Sequence, residues 1–332
     1  MAETVQERIN RYLEDAVAAE RNFDSTLHAF AHTGVQHPAK VLFASLAGRT
    51  RTQHERLTAL LKKRGGAPSA AKTALAHTLA FTPLCAQMGQ GHAEKNTQNL
   101  IITFAAAAAE MAMYESLAVA AAEAGDEETA ALAQTLQSEE HSDSRQIWNL
   151  LRHSAKQSFE DEVSSGKEPE HLIRDYLEEA IAAEISFEKQ LRAFSKDADD
   201  AAVQQLFAQH AQETHAQHEI LVRKLRTFKA TPSVLKDMLA HLFVMTPKVA
   251  QSGHDGAERL SQNLMMAYAA ENAEVAMYEA LAEASLAAGT PDVERMALSI
   301  QQQEKEAAEK IWNQLAPAAR RAVSSMATAR AS

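Results

Sequence analysis

Two segments of this chain, Tyr12-Leu-Glu-Asp-Ala-Val-Ala-Ala-Glu20 and Tyr176-Leu-Glu-Glu-Ala-Ile-Ala-Ala-Glu184, are closely similar and lie 164 residues apart. The same offset relates Glu110-Met-Ala-Met-Tyr114 to Glu274-Val-Ala-Met-Tyr278, and Ile147-Trp-Asn-Leu-Leu151 to Ile311-Trp-Asn-Gln-Leu315. Because the offset is constant, no loop between these blocks has gained or lost a residue. Solenoid units span roughly 20–50 residues, so a repeat of this length indicates a duplicated domain.

The composition is typical of two all-α domains. The chain has 332 residues, only 11 Gly and 8 Pro, and no alternating run rich in Val, Ile or Thr. A net charge of −11 argues against a nucleic-acid or anionic-membrane partner. We find no apolar run of about 18 residues of the kind that spans a membrane.

The single cysteine, Cys85, excludes an intramolecular disulfide framework and is typical of a reducing compartment. The N-terminal segment lacks the basic and apolar regions of a secretory signal. We therefore expect a cytoplasmic protein.

Apolar periodicity, interrupted by Gly and Pro, predicts five helices in each half. They lie near 3–32, 38–64, 69–90, 95–124 and 127–154, and near 168–196, 199–228, 232–252, 257–288 and 291–326. The predicted domains are 1–156 and 169–332, joined by a linker over 157–168. About 30 residues with a short helix separate the two pairs of long helices, which predicts a four-helix bundle with one long crossover.

Glutamates interrupt the apolar stripes of the four long helices in the second half. They are Glu184 on the first helix, Glu213 on the second, Glu271 and Glu274 on the third, and Glu304 on the fourth. Spacings of three and four residues place each one on a face that we expect to point inward. On the second helix the predicted inward stripe contains Leu206, His210, Glu213 and Gln217.

The first half keeps only part of this set, namely Glu20, Glu110 and Glu140. Arg49 stands where the second half has Glu213, and Ala107 where it has Glu271. We expect Arg49 to reach the bundle centre and bond at least one of the three carboxylates. The first half then is a degenerate copy that binds no metal.

Five carboxylates cannot converge in a dry core and all stay ionised. A buried ion without a partner costs several kcal/mol, against a domain stability of roughly 5–15 kcal/mol. Three outcomes satisfy this constraint: protonation, entry of water, or bound cations. Oxygen ligands from four helices are what a di-iron or di-manganese site requires, so we predict iron or manganese in the second half alone.

The chain resembles the ferritin-like superfamily, and within it the YciE/YciF-type stress-associated proteins. The matching segments are Ala183-Glu184, Glu213-Thr-His-Ala-Gln217, Glu271-Asn-Ala-Glu274-Val-Ala-Met-Tyr278, Glu304 and Cys85-Ala-Gln-Met88-Gly89. The resemblance implies a ferritin-like bundle in each half, a carboxylate-rich centre and pairing of bundles. We therefore expect the two halves to form an internal pseudo-dimer. The Glu-x-x-His motif of ferritins and oxidases is absent at the aligned positions.

Two function classes follow from these residues. The first is a metal-binding protein that handles iron, peroxide or dioxygen in stress protection, with enzymatic activity left open. The second is a metal-free structural or interaction protein on a ferritin-like scaffold. His54, His215 and His218 flank the inward stripe, and His215 and His218 have the spacing of a ligand pair. Tyr114 and Tyr278 are expected to bond the carboxylates.

Overall fold

The computed structural model describes residues 3–32, 38–68, 92–232 and 256–331, and all regular structure in these ranges is helical. The first half contains α1 (Val5–His32), α2 (Pro38–Lys63), α3 (His92–Glu123) and α4 (Glu127–Ser164). The second contains α5 (Pro169–Asp197), α6 (Ala201–Thr227), α7 (Gly256–Ala287) and α8 (Pro291–Ala331). The all-α prediction is confirmed, as are the eight long helices. The predicted short helices near 69–90 and 232–252, and Cys85, lie outside the described residues.

Each half is a bundle in which α1 packs on α2 and α3 on α4, and likewise α5 on α6 and α7 on α8. In the first core, Ile9 and Leu13 near the start of α1 pack with Leu117 near the end of α3 and with Leu61 near the end of α2. Both α2 and α3 are therefore antiparallel to α1 and parallel to each other. A connection as long as the bundle must join them, which is the physical reason for the long segment after α2.

The tight turns between α3 and α4 and between α7 and α8 are alike. Gly125 and Gly289 occupy equivalent positions there, with φ of 72° and 68°. This left-handed conformation is easily adopted only by glycine, and it closes the preceding helix. Asp126 then caps α4 by accepting a hydrogen bond from the Thr129 amide at 3.2 Å.

The predicted linker over 157–168 is largely helical. α4 continues to Ser164, so only residues 165–168 separate it from α5. The extension is stable because Phe159 is 3% exposed and packs with Leu172 and Ile173 of α5. Ser164-Ser-Gly166 and Pro169 among charged residues predicted a linker, but the buried face of this segment continues the α4 stripe.

The two bundles pack against each other through α3 and α4 of the first half and α7 and α8 of the second. Ala112 of α3 lies in the second-half core, and its equivalent Ala276 lies in the first-half core. Likewise, Phe159 of the first half lies in the second-half core, and its equivalent Val323 lies in the first-half core. Equivalent residues thus cross the interface in both directions, which is the pattern of a two-fold pair. The expected internal pseudo-dimer fits this packing.

Within the described ranges, one helical stretch, Lys95–Glu123, is long and apolar enough to span a membrane by length and composition alone. More than half of its apolar window is buried inside the protein, and Glu110 lies within it. A core helix of a soluble bundle has the same properties, so this stretch is weak evidence for a membrane span.

Candidate metal centre

A cluster of buried carboxylates lies at the centre of the second bundle. Glu184 of α5, Glu271 and Glu274 of α7, and Glu304 of α8 are each at most 4% exposed. Their positions follow from helix periodicity, because each one replaces an apolar residue in an inward stripe. These four predicted ligands are brought to one core.

His210 of α6 completes this cluster. It is 3% exposed, and its Nε2 atom lies 2.5 Å from Oε1 of Glu271, without the alignment of a hydrogen bond. One ligand atom from each of His210, Glu271 and Glu304 lies within 4.8 Å of the other two. An imidazole and two carboxylates at this separation form a ligand set for one transition-metal ion. His210 belongs to the predicted inward stripe of its helix, although it was not among the predicted ligands.

Glu213 does not join the centre, contrary to our prediction. Its side chain is 39% exposed and lies on the outer side of His210, with Oε2 3.4 Å from Nδ1 of that histidine. The hydrogen bond with His210 outweighs partial burial and lowers the pKa of Glu213 to about 2. The buried stripe of α6 instead contains Val203, Phe207, His210, Thr214, Gln217 and Leu221. The predicted stripe therefore differs from the observed one by a rotation about the helix axis, towards the exposed flank of α6.

The same rotation explains why the prediction for Arg49 was wrong. Arg49 lies at the edge of the first bundle, its side chain 36% exposed, and its Nε donates to Oδ2 of Asp143 at 2.9 Å. The first-half carboxylates are instead reached by Gln53, whose Nε2 donates to Oε1 of Glu140 at 2.7 Å. A neutral amide therefore occupies the place in which we expected a cation.

The first bundle has a smaller version of the same cluster. Glu20, Glu110 and Glu140 are buried, and one oxygen from each lies within 4.8 Å of the others. Burial is the largest cause that raises the pKa of Glu140, to about 7, while the bond from Gln53 opposes it. Leu46 and Ala107 stand at the positions of His210 and Glu271. The first bundle thus lacks both members of the imidazole–carboxylate pair.

Burial also governs the ionisation of the second-half cluster. It raises the pKa of Glu184 to about 8, although the hydrogen bond from Tyr278 opposes this rise. Burial and then the neighbouring carboxylates hold the pKa values of Glu274 and Glu304 well above their usual range. Burial disfavours a charge on His210, but Glu271 and Glu213 outweigh it and raise the pKa of His210 to about 10. Without a metal, protons must occupy part of this cluster near neutral pH.

Among the residues that the structure describes, the two centres differ in the number of carboxylate oxygens that no hydrogen bond satisfies. In the first bundle these are Oε2 of Glu20 and Oε2 of Glu110. In the second bundle there are seven: Oε2 of Glu184 and both oxygens of Glu271, Glu274 and Glu304. Oε1 of Glu271 faces the His210 imidazole at 2.5 Å, which leaves six oxygens. Most buried polar atoms in proteins have a partner, so this group of six requires an explanation. Cations fit this donor set, because it offers hard oxygen ligands on three sides and one imidazole.

A tyrosine orients one carboxylate in each centre. The hydroxyl of Tyr278 donates to Oε1 of Glu184, and the equivalent Tyr114 donates to Oε1 of Glu20. Both tyrosines are fully buried. The expectation that these tyrosines bond the carboxylates is confirmed.

The flanking histidines do not reach the centre. His215 is half-exposed and its Nδ1 lies 3.0 Å from Oε2 of Glu188 on the outside of the second bundle. The rings of His215 and His218 are 6.1 Å apart and tilted by 42°. His54 is half-buried on the equivalent face of the first bundle. Their possible role as ligands of this centre therefore receives no support from the geometry.

A known protein family matches each half of the chain separately, in agreement with the duplication. The family model described as "Domain of unknown function (DUF892)" matches residues 4–160 and again residues 168–324. No curated protein and no solved structure matches the chain. Because the two matches together cover most of the sequence, the chain belongs to the DUF892 family, which is part of the ferritin-like superfamily.

Proposed function

We propose that the second bundle binds one or two iron or manganese ions between Glu184, Glu271, Glu274 and Glu304, with His210 as a further ligand. The observation that carries this proposal is the group of buried carboxylate oxygens that have no hydrogen-bond donor among the described residues, six of them besides Oε1 of Glu271, which faces the His210 imidazole. A buried carboxylate that lacks a partner costs several kcal/mol, and bound cations offset that cost directly. Protons offset it only in part, because each protonated carboxyl donates one hydrogen bond to a neighbouring oxygen while the other oxygens of the cluster keep no donor.

The donor types favour iron or manganese over softer alternatives. Carboxylates bind hard and borderline ions, imidazole suits iron, and the described centre contains no thiolate. Such an ion, when bound, would supply redox chemistry towards peroxide or dioxygen. The resemblance to stress-associated proteins suggests protection from iron or peroxide as the physiological role.

The difference between the bundles supports a preference for the second. There, Gln217 donates to Oε1 of Gln303 at 3.2 Å, and no described residue donates a hydrogen bond to either oxygen of Glu304. In the first bundle the equivalent Gln53 donates to Glu140 at 2.7 Å. An amide that occupies a carboxylate competes with a metal for the same oxygen. We therefore expect metal at the second centre and none at the first.

The test is metal analysis of the full chain purified without chelators, followed by anaerobic titration with ferrous ion or manganese. We expect one or two ions per chain, and Glu304→Gln to remove them. Glu140→Gln is the matched control at the equivalent position and should leave the stoichiometry unchanged. If neither ion binds above background to a folded protein, the metal-free scaffold is the correct function class. Equal losses in the two variants would overturn the assignment to the second bundle.

A further inference from the structure

A cleft of about 540 Å³ opens between the two bundles, and none of the clustered carboxylates of either centre lines it. Its apolar walls are formed by Phe104, Met111 and Trp148 of the first half and by Tyr268, Val275 and Trp312 of the second. His141, Lys305 and Glu309 lie at its mouth and are exposed. The volume falls within the range of about 300–1,000 Å³ that is usual for small-molecule sites.

The cleft exists because the two bundles are paired. Phe104 is equivalent to Tyr268, and Trp148 is equivalent to Trp312. The same positions of the two halves therefore face one cleft, as expected for a cavity on a pseudo-two-fold axis. Neither bundle could form it alone, since each supplies one aromatic pair.

On each side of the cleft, the two aromatic rings contact each other in a tilted geometry. The Phe104 and Trp148 centroids are 5.3 Å apart at an interplanar angle of 44°, and those of Tyr268 and Trp312 are 5.0 Å apart at 51°. Both separations are those of favourable aromatic contacts. Trp148 and Trp312 are nevertheless only partly buried, so both keep indole surface open towards the cleft.

The ammonium group of Lys305 lies beside this aromatic surface. Lys305 Nζ is 5.4 Å from the Trp148 centroid and donates to Oε1 of Gln301 at 2.8 Å. Within the described ranges, no carboxylate lies within salt-bridge distance of this ammonium group. The equivalent first-half residue is His141, so the charge is a feature of one side of the cleft.

We propose that this cleft binds a planar aromatic molecule that carries an anionic group. The indole faces of Trp148 and Trp312 stack with the aromatic part, and Lys305 pairs with the anion. Asn272 and the hydroxyl of Tyr268, both on the second-half side, give the ligand's polar edge one preferred orientation. The site is separate from the proposed metal centre and does not require metal.

The test uses 8-anilinonaphthalene-1-sulfonate, an aromatic anion, on the full chain in the presence of a chelator. The chain contains only two tryptophans and both line the cleft, so quenching of intrinsic fluorescence reports this site directly. We expect saturable quenching with one probe per chain. Lys305→Gln should weaken binding about fivefold, since a partly exposed charge is worth about 1 kcal/mol. Lys310→Gln, an exposed lysine outside the cleft lining, should not change binding.

The neutral analogue N-phenyl-1-naphthylamine separates the two parts of the proposal. Its affinity should be unaffected by Lys305→Gln and reduced by Trp312→Ala, whereas Trp312→Phe should retain most of it. Absence of saturable quenching, or binding unchanged in both Lys305→Gln and Trp312→Ala, overturns the proposal. So does a dimer in light scattering that Lys305→Gln or Trp312→Phe converts to a monomer, because a second copy of the chain would then occupy the cleft.

Discussion

His210 Nε2 lies 2.5 Å from Oε1 of Glu271 in the core of the second bundle, and the first bundle has Leu46 and Ala107 at these two positions. The charged pair and the apolar pair are thus alternatives at one place in the same fold. A mixed pair would bury one charge without its partner, at a cost of several kcal/mol. The two halves therefore differ at both positions together: the second half has the imidazole and the carboxylate, and the first half has two apolar residues.

This relationship makes a double-mutant cycle informative. We expect His210→Leu to destabilise the second bundle by about 3–5 kcal/mol, because it strands the buried Glu271. Glu271→Ala should destabilise it less, because His210 keeps Glu213 as a partner at Nδ1. The double variant recreates the first-half pair and should cost much less than the sum of the two. Urea unfolding with a chelator present measures all three. Additive losses would show that the two residues do not act as a pair.

The metal-free protein should lose stability as the pH rises. Folding raises the pKa of Glu140 to about 7 and that of Glu184 to about 8, from an ordinary value of 4.5. The folded state therefore binds more protons than the unfolded state between about pH 4.5 and pH 8, and stability falls across this window. His210 acts in the same direction, because its pKa rises from 6.5 to about 10 and its contribution is lost as the pH passes from 6.5 to 10.

Thermal melts between pH 5 and pH 9 check this expectation. With a chelator, the Tm should be highest near pH 5 and should decrease by several degrees towards pH 9. With saturating manganese the decrease should be smaller, since metal binding displaces the same protons and strengthens with pH. A metal-free Tm that increases from pH 5 to pH 8 would contradict the ionisation described for the carboxylates.

The tyrosine pair offers a matched comparison. Tyr278→Phe removes the hydroxyl that orients Glu184, and Tyr114→Phe removes the equivalent bond to Glu20. Each should cost about 1–2 kcal/mol of stability. Only Tyr278→Phe should also weaken manganese binding, by about tenfold or more, because partners that orient ligands tune metal affinity. Equal effects of the two variants on metal affinity would argue against a site confined to the second bundle.

Glu213 provides a test of the ligand set itself. It lies outside the cluster and is 39% exposed, so Glu213→Gln should leave the number of bound ions unchanged. Glu274→Gln, which alters a fully enclosed carboxylate, should lower it. Metal analysis of both purified variants gives the answer. A complete loss of metal in Glu213→Gln would restore that residue as a ligand and require α6 to rotate on binding.

The sequence by itself determined the duplication, the helical class and the inward position of four glutamates. A constant offset of 164 residues identifies equivalent positions without any structure. Glu184, Glu271, Glu274 and Glu304 lie in the middle of apolar stripes, so a small error in the helix phase does not move them to the surface. The need for a long crossover likewise followed from the lengths of the connections.

Tertiary structure decided which residue of α6 reaches the centre. His210 and Glu213 are three residues apart and so differ by only about 60° around the helix axis, and a broad apolar stripe accommodates either. Packing of Phe207 and Leu221 against the neighbouring helices sets the rotation of α6 and turns His210 inward. The same effect at α2 leaves Arg49 at the edge and turns Gln53 towards Glu140. The cleft beside Trp148 also depends on tertiary packing, because its walls come from two bundles whose contact no local pattern specifies.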